Sequence, residues 1–218
     1  GRSRLVSAAR WVGVPADGVL LFGSGMSAIY TIYRAINGVF PGRRSVQFGF
    51  PYVDTLKIQQ DLGPGVHFFP RGDERELQQL GELLETEPVS AIFCEFPSNP
   101  LLISPNLAAL AELGRRHGVP LVVDETLGTY VNVDLRPFAD VLVTSLTKYF
   151  TGAGDVLAGA AIVNPQSPWF ERLRDAVDRE YEDVLWGGDA QLLARYCKDF
   201  PARVQQINRT AEQLVEFC

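Results

Sequence analysis

Leu121-Val-Val-Asp124-Glu125-Thr126 and Ala139-Asp-Val-Leu-Val-Thr-Ser145-Leu-Thr147-Lys148-Tyr-Phe-Thr-Gly-Ala-Gly-Asp-Val156 are the two segments on which the reading of this sequence turns. Each is a short apolar, β-branched run that ends in polar groups. Such runs suit strands buried on both faces of a parallel sheet. If both are parallel strands, Asp124 and Lys148 emerge at the same sheet edge, where α/β proteins place their ligands.

A lysine at that edge, bracketed by Ser145 and Thr147, can form an imine while the hydroxyls hold a phosphate. An aspartate one strand away can keep a pyridine nitrogen protonated. Those three capacities together describe a pyridoxal 5'-phosphate (PLP) site. Taken singly, each residue has an ordinary reading: Lys148 as a solvated strand-end lysine, Asp124 as a cap or turn residue.

Working outward, the chain alternates strand and helix patterns. Val19 to Phe22 reads as a strand, followed by Gly23-Ser-Gly25-Met26-Ser-Ala28 and a helix over Ile29 to Ile36. Val46 to Phe48 and Val66 to Phe69 read as strands, each followed by a helix, over Asp54 to Asp61 and Asp73 to Glu85. Ala91 to Cys94 reads as a strand that runs into Glu95-Phe-Pro97-Ser-Asn99-Pro100, stiffened by two prolines. Asn106 is a suitable N-cap for a helix over Leu107 to His117, which Gly118 closes. Ala158 to Val163 reads as a further strand, and Ser167 to Glu180 and Ala202 to Phe217 as amphipathic helices with Trp186-Gly-Gly188 as the break between them. The alternation predicts a mainly parallel, right-handed wound sheet with helices on both faces.

Gly23-Ser-Gly25-Met26-Ser-Ala28 also fits G-x-G-x-x-A, so a nucleotide-dependent oxidoreductase has to be weighed. That fold places an acidic residue at the end of the next strand, whereas Gln47-Phe-Gly49 stands there. The turn reads better as a phosphate cradle, in which the amides of Gly25 and Met26 meet an anion at a helix N-terminus. Asn99 in its proline-clamped loop can bond a phenolic oxygen, and Tyr52 after Pro51 can lie over a flat ring; turn chemistry and core packing are the plain alternatives. His67 and His117 have no ligand-like neighbours and read as structural.

Composition narrows the classes. The chain has 218 residues, a net charge of −6 and 46% hydrophobic residues, which suits a folded domain and argues against nucleic acid or an anionic membrane as partner. Cys94, Cys197 and Cys218 have no paired spacing for zinc or a disulfide framework, so no metal is expected and a reducing, cytoplasmic setting fits. No apolar run approaches the roughly 18 residues that would suggest a spanning helix. Both ends fall within helical patterns, Ser3 to Trp11 and the stretch ending at Cys218, which suggests a piece of a longer polypeptide.

Ser24-Gly-Met-Ser-Ala-Ile29, Tyr52, Glu95-Phe-Pro-Ser-Asn-Pro-Leu101, Val122-Val-Asp124-Glu-Thr126 and Ser145-Leu-Thr-Lys148-Tyr occur together, in order. In this the sequence resembles the cystathionine γ-synthase group of PLP-dependent transsulfuration enzymes, the Cys/Met metabolism family, and most of all its fungal branch. The resemblance implies a three-layer fold type I large domain over residues 13–218, preceded by an N-terminal helix over 1–12 and lacking the family's C-terminal small domain. It implies Lys148 as the Schiff-base lysine, Asp124 as partner of the ring nitrogen, Tyr52 stacked on the ring and activating the substrate amine, and Asn99 on the ring hydroxyl. Gly25, Met26, Ser145 and Thr147 would hold the phosphate, with Thr126 under the ring.

The implied reaction is γ-replacement on an O-acyl-homoserine by cysteine or another nucleophile, or the related elimination of a C–S lyase, in a homodimer or homotetramer acting on small amino acids. An inactive, cofactor-binding relative or fragment is the alternative. Glu125 stands where many members have Asn, and Gly152-Ala-Gly-Asp155 where many have Gly-His-Ser-Asp. The family's Tyr-x-Arg segment is not found in Gly1 to Val12.

Overall fold

Seven short strands form one sheet, described in a computed structural model over residues 18–217. They are β1 (Val19–Phe22), β2 (Ser45–Phe48), β3 (Val66–Phe69), β4 (Ile92–Glu95), β5 (Leu121–Asp124), β6 (Val141–Ser145) and β7 (Gly159–Val163), in the spatial order β1-β7-β6-β5-β4-β2-β3. From β6 through β5, β4 and β2 to β3 every pairing is parallel. Only β7, inserted between β1 and β6, runs antiparallel to its neighbours. The expected N-terminal helix over residues 1–12 lies outside the described residues.

Parallel strands need long crossovers, and helices supply them: α1 (Gly25–Val39), α2 (Val53–Asp61), α3 (Glu74–Thr86), α4 (Leu107–His117), the short α5 (Thr129–Asn132), α6 (Phe170–Glu180), α7 (Gly187–Tyr196) and α8 (Phe200–Phe217). Side chains of a strand alternate between its faces, and they sort here into two cores. Leu121, Val123 and Leu142 face one core with Leu80 and Leu84 of α3, Leu110 of α4, and Phe200 of α8. Val122, Val141 and Val143 face the other with Ile32 and Ile36 of α1 and Leu173 of α6. The result is a three-layer α/β architecture with a mostly parallel mixed sheet, as the sequence pattern predicts.

Helix boundaries follow local chemistry. The Asn106 side chain accepts the Ala109 N–H at 3.1 Å, and Gly118 closes α4 at φ 65°, a conformation open to glycine. Asp73 caps α3 in the same way through the Glu76 N–H. One expectation needs correction. Trp186-Gly187-Gly188 does not merely separate helices: α7 starts at Gly187, so a third helix stands where an open connection is expected. After β6, Leu146–Phe150 form a π-helical turn in which Lys148 adopts non-helical angles (φ −85°, ψ −114°).

Candidate functional site at the carboxyl edge of the sheet

The parallel strands deliver their last residues to one edge, where Glu95 of β4 pairs in register with Asp124 of β5, and Asp124 with Val143 of β6. Lys148 follows within one turn of the end of β6 and is exposed.

The glycine turn reaches this edge from the other side. Ser24 caps α1, its hydroxyl oxygen accepting the Ser27 N–H at 3.0 Å. Gly25 and Met26 are the first two helical residues, whose amides have no acceptor within the helix. A Cβ on Gly25 would stand 2.9 Å from Cβ of Ser145, and one on Gly159 would collide with the Ser24 carbonyl and Gly25 Cα. Glycine is needed at both positions because the amino end of α1 is packed against the start of β7 and the end of β6. The two proposed phosphate-holding segments, far apart in sequence, therefore meet at Ser145. Free amides, a helix dipole and a serine hydroxyl brought together by this close packing make a donor set suited to a phosphate.

Thr126 joins the two strand ends. Its N–H donates to Asp124 Oδ1 at 2.8 Å, and its hydroxyl oxygen accepts the Ser145 N–H at 2.8 Å. Burial pushes the Asp124 carboxyl above its ordinary range, and the hydrogen bonds from Thr126 act the other way. The Thr147 hydroxyl is engaged with the Ala158 backbone, accepting its N–H at 3.0 Å and donating to its carbonyl at 3.3 Å. In this structure it pins the lysine turn to Ala158, the residue before β7. Met26 packs its side chain against the α1 core, so only its amide serves the edge.

Tyr52 and Asn99 both arrive through a residue to which the sequence reading gave no role. Glu95 is 8% exposed, and its two carboxylate oxygens accept the Tyr52 N–H at 2.6 Å and the Asn99 N–H at 2.9 Å. The side chains of Tyr52 and Asn99 stay exposed above it. Burial, then the Asp124 charge, push Glu95 up to about 7, against the lowering effect of the two N–H donors. The available signal was a carboxylate closing an apolar strand directly before a proline-clamped loop. Glu125 is 3% exposed and is pushed up to about 8 by burial and by the charges of Asp124 and Asp134. It lines a small recess with Thr129, Tyr130, Phe150 and Phe200. Among the described residues no group of three or more His, Cys, Asp or Glu is arranged to hold a metal.

Residues 14–218 match the Cys/Met metabolism PLP-dependent enzyme family. The chain belongs to that family. It is 42% identical over 205 residues to a cystathionine gamma-synthase of Neurospora crassa, covering 91% of this chain and 33% of that protein. It is 44% identical over 210 residues to an alanine racemase of Aspergillus violaceofuscus, covering 93% of this chain and 36% of that protein. Among solved structures, cystathionine gamma-lyase from yeast superimposes with a TM-score of 0.75 at 28% identity, covering 91% of this chain and 50% of the other. The chain thus spans about a third of the length of these curated relatives. Membership of a PLP-dependent family decides against the dinucleotide reading of G-x-G-x-x-A, in keeping with β2, which ends in Gln47 and Phe48 rather than a carboxylate.

Proposed function

We infer that this chain is the cofactor-binding part, over residues 13–218, of a cystathionine γ-synthase-like enzyme carrying out γ-replacement on an O-acyl-homoserine with cysteine or a similar nucleophile. The observation that carries the reading is the packing of the Gly25 end of α1 onto Ser145, three residues before Lys148 and beside the Asp124 strand end. When bound, PLP supplies an electron sink that lets an amino acid lose protons and a γ-substituent.

The chain's own groups divide the remaining work. Lys148 would hold the cofactor and would carry protons at the substrate's Cα and Cβ. Asp124, at the end of a buried strand, offers negative charge to the ring nitrogen, and Thr126 orients it. Gly25, Met26 and Ser145 fix the phosphate. Tyr52 would cover the ring and help activate the substrate amine, and Asn99 would bond the ring hydroxyl. A further domain of the longer protein would grip the substrate carboxylate, and the working enzyme would be a cytoplasmic homodimer or homotetramer.

The likeness to a protein named alanine racemase favours a second reading, proton exchange at Cα alone. The full-length protein separates the two. γ-Replacement predicts cystathionine from an O-acyl-homoserine and cysteine, and racemisation predicts D-alanine from L-alanine. Borohydride should fix the cofactor's mass on the Lys148 peptide in either case. Equal fixation in Lys148→Ala would overturn the assignment.

A further inference from the structure

We propose that Glu95 is a positioning residue for the cofactor ring, its single carboxylate setting the loops of Tyr52 and Asn99 at the height at which both side chains meet the ring. The inference rests on the reading that these two residues contact PLP. Tyr52 precedes α2 and Asn99 follows β4, and the two segments are separated by more than forty residues of chain. Each reaches the edge with its backbone N–H on a different oxygen of the same group. Glu95 is itself the last residue of β4, in register with Asp124, so its height above the sheet is set by the strand pairing and not by a mobile stem. A shift of this carboxylate would move both loops together, relative to Asp124.

A plain loop cap would not need this residue. Tyr52 and Asn99 are exposed, and water or a neutral side chain could accept their N–H groups without placing a second carboxylate beside Asp124. Desolvating that charge is costly, and the two charge-assisted bonds offset part of the cost. An anionic bidentate acceptor gives what a neutral one cannot, namely two equivalent oxygens that hold two donors at a fixed separation. Gln at this position presents one acceptor and one NH2 group, which faces the second N–H donor to donor.

The test is a double-mutant cycle in the full-length protein at about pH 8.5, where Glu95, lifted to about 7 by burial, is ionised, read by the dissociation constant for PLP added to the cofactor-free form and by amide hydrogen exchange at Tyr52 and Asn99. Glu95→Gln should weaken PLP binding by about tenfold and speed exchange at both amides by a similar factor, the loss expected for one charge-assisted hydrogen bond. In a Tyr52→Ala/Asn99→Ala background the same change should weaken PLP binding by less than about threefold, because the groups it positions are gone. A merely structural Glu95 would give losses that multiply in full across the cycle; that result, or unaltered exchange in Glu95→Gln, overturns the proposal. Glu95→Asp, which retracts the carboxylate by one methylene and keeps the charge, provides the same cycle if Glu95→Gln does not fold. Absence of borohydride-fixed cofactor on Lys148 in the wild type would defeat the proposed function instead, while the exchange measurement still decides whether Glu95 clamps the two loops.

Discussion

Thr126 stands between Asp124 and Ser145, taking the Ser145 N–H on its hydroxyl oxygen and giving its own N–H to the Asp124 carboxylate, both at 2.8 Å. A single residue, through its backbone N–H and its hydroxyl, thus fixes the spacing between the ends of β5 and β6. Thr126→Val keeps the shape and removes the acceptor, leaving the half-buried Ser145 N–H without its partner. The expected cost is about 1–3 kcal/mol of unfolding free energy, read in urea, with weaker PLP retention as the Ser145 end shifts. Thr126→Ser should stay within about 1 kcal/mol of wild type, since it keeps the hydroxyl.

Two buried carboxyls give stability a definite sign against pH. Glu95 rises from 4.5 to about 7 and Glu125 from 4.5 to about 8 on folding. Between those values the folded chain holds protons that the unfolded chain has released, so unfolding free energy should fall as pH rises from about 4.5 to 8. The Glu125 share can be isolated, because burial and the charges of Asp124 and Asp134 are what raise it. Glu125→Gln should flatten the upper part of the profile and, at pH 9, be more stable than wild type by on the order of a few kcal/mol. Urea unfolding of the cofactor-free protein at pH 5, 7 and 9 would check this, and an unchanged slope in Glu125→Gln would count against the buried charge.

Gly25→Ala tests the phosphate cradle. The added Cβ would lie 2.9 Å from the Ser145 Cβ, too close for either backbone to stay in place. Overpacking of this kind costs about 1–3 kcal/mol. The displaced groups are the first amides of α1 and the Ser145 hydroxyl, so PLP affinity should fall further than stability does, by about tenfold or more. Comparing denaturation midpoints with cofactor titrations would show whether the two losses separate.

Much of this site was legible because its parts are local. An apolar run ending in Asp124, another leading to Lys148 and a glycine turn before a helix each signal themselves within a few residues. The two alternating cores follow from the same runs. What stayed hidden depends on partners distant in sequence. Nothing near Gly159-Ala-Ala161 says that β7 runs antiparallel, because a buried strand reads alike in both directions; its pairing with both β1 and β6 only appears in the sheet. Glu95 and Thr126 lay inside quoted motifs, yet their bonds join segments 43 and 19 residues apart. The helix α7 was masked by its Gly-Gly start, an opening whose low helix propensity is overridden by burial of Leu193.

Arg203, which holds the turn after Lys148, has no local signature in the sequence. From α8 its guanidinium donates to the carbonyls of Tyr149 at 3.0 Å, Phe150 at 2.7 Å and Tyr196 at 3.2 Å, while Nε pairs with Asp199 at 3.1 Å. It also occupies the space where a Cβ on Gly152 (φ +74°) would sit, so the turn closes around it. The two residues directly after Lys148 are therefore held from behind by one planar fork of donors. Lysine cannot reproduce the fork, since its single ammonium lacks the geometry to span three carbonyls and a carboxylate. Arg203→Lys should cost about 1–3 kcal/mol of stability. The decisive readout is the rate at which borohydride fixes PLP on Lys148 when cofactor is added to the cofactor-free protein. Release of the turn should slow that rate by several-fold or more, and a destabilised variant that captured cofactor at the wild-type rate would show that Arg203 supports the fold alone.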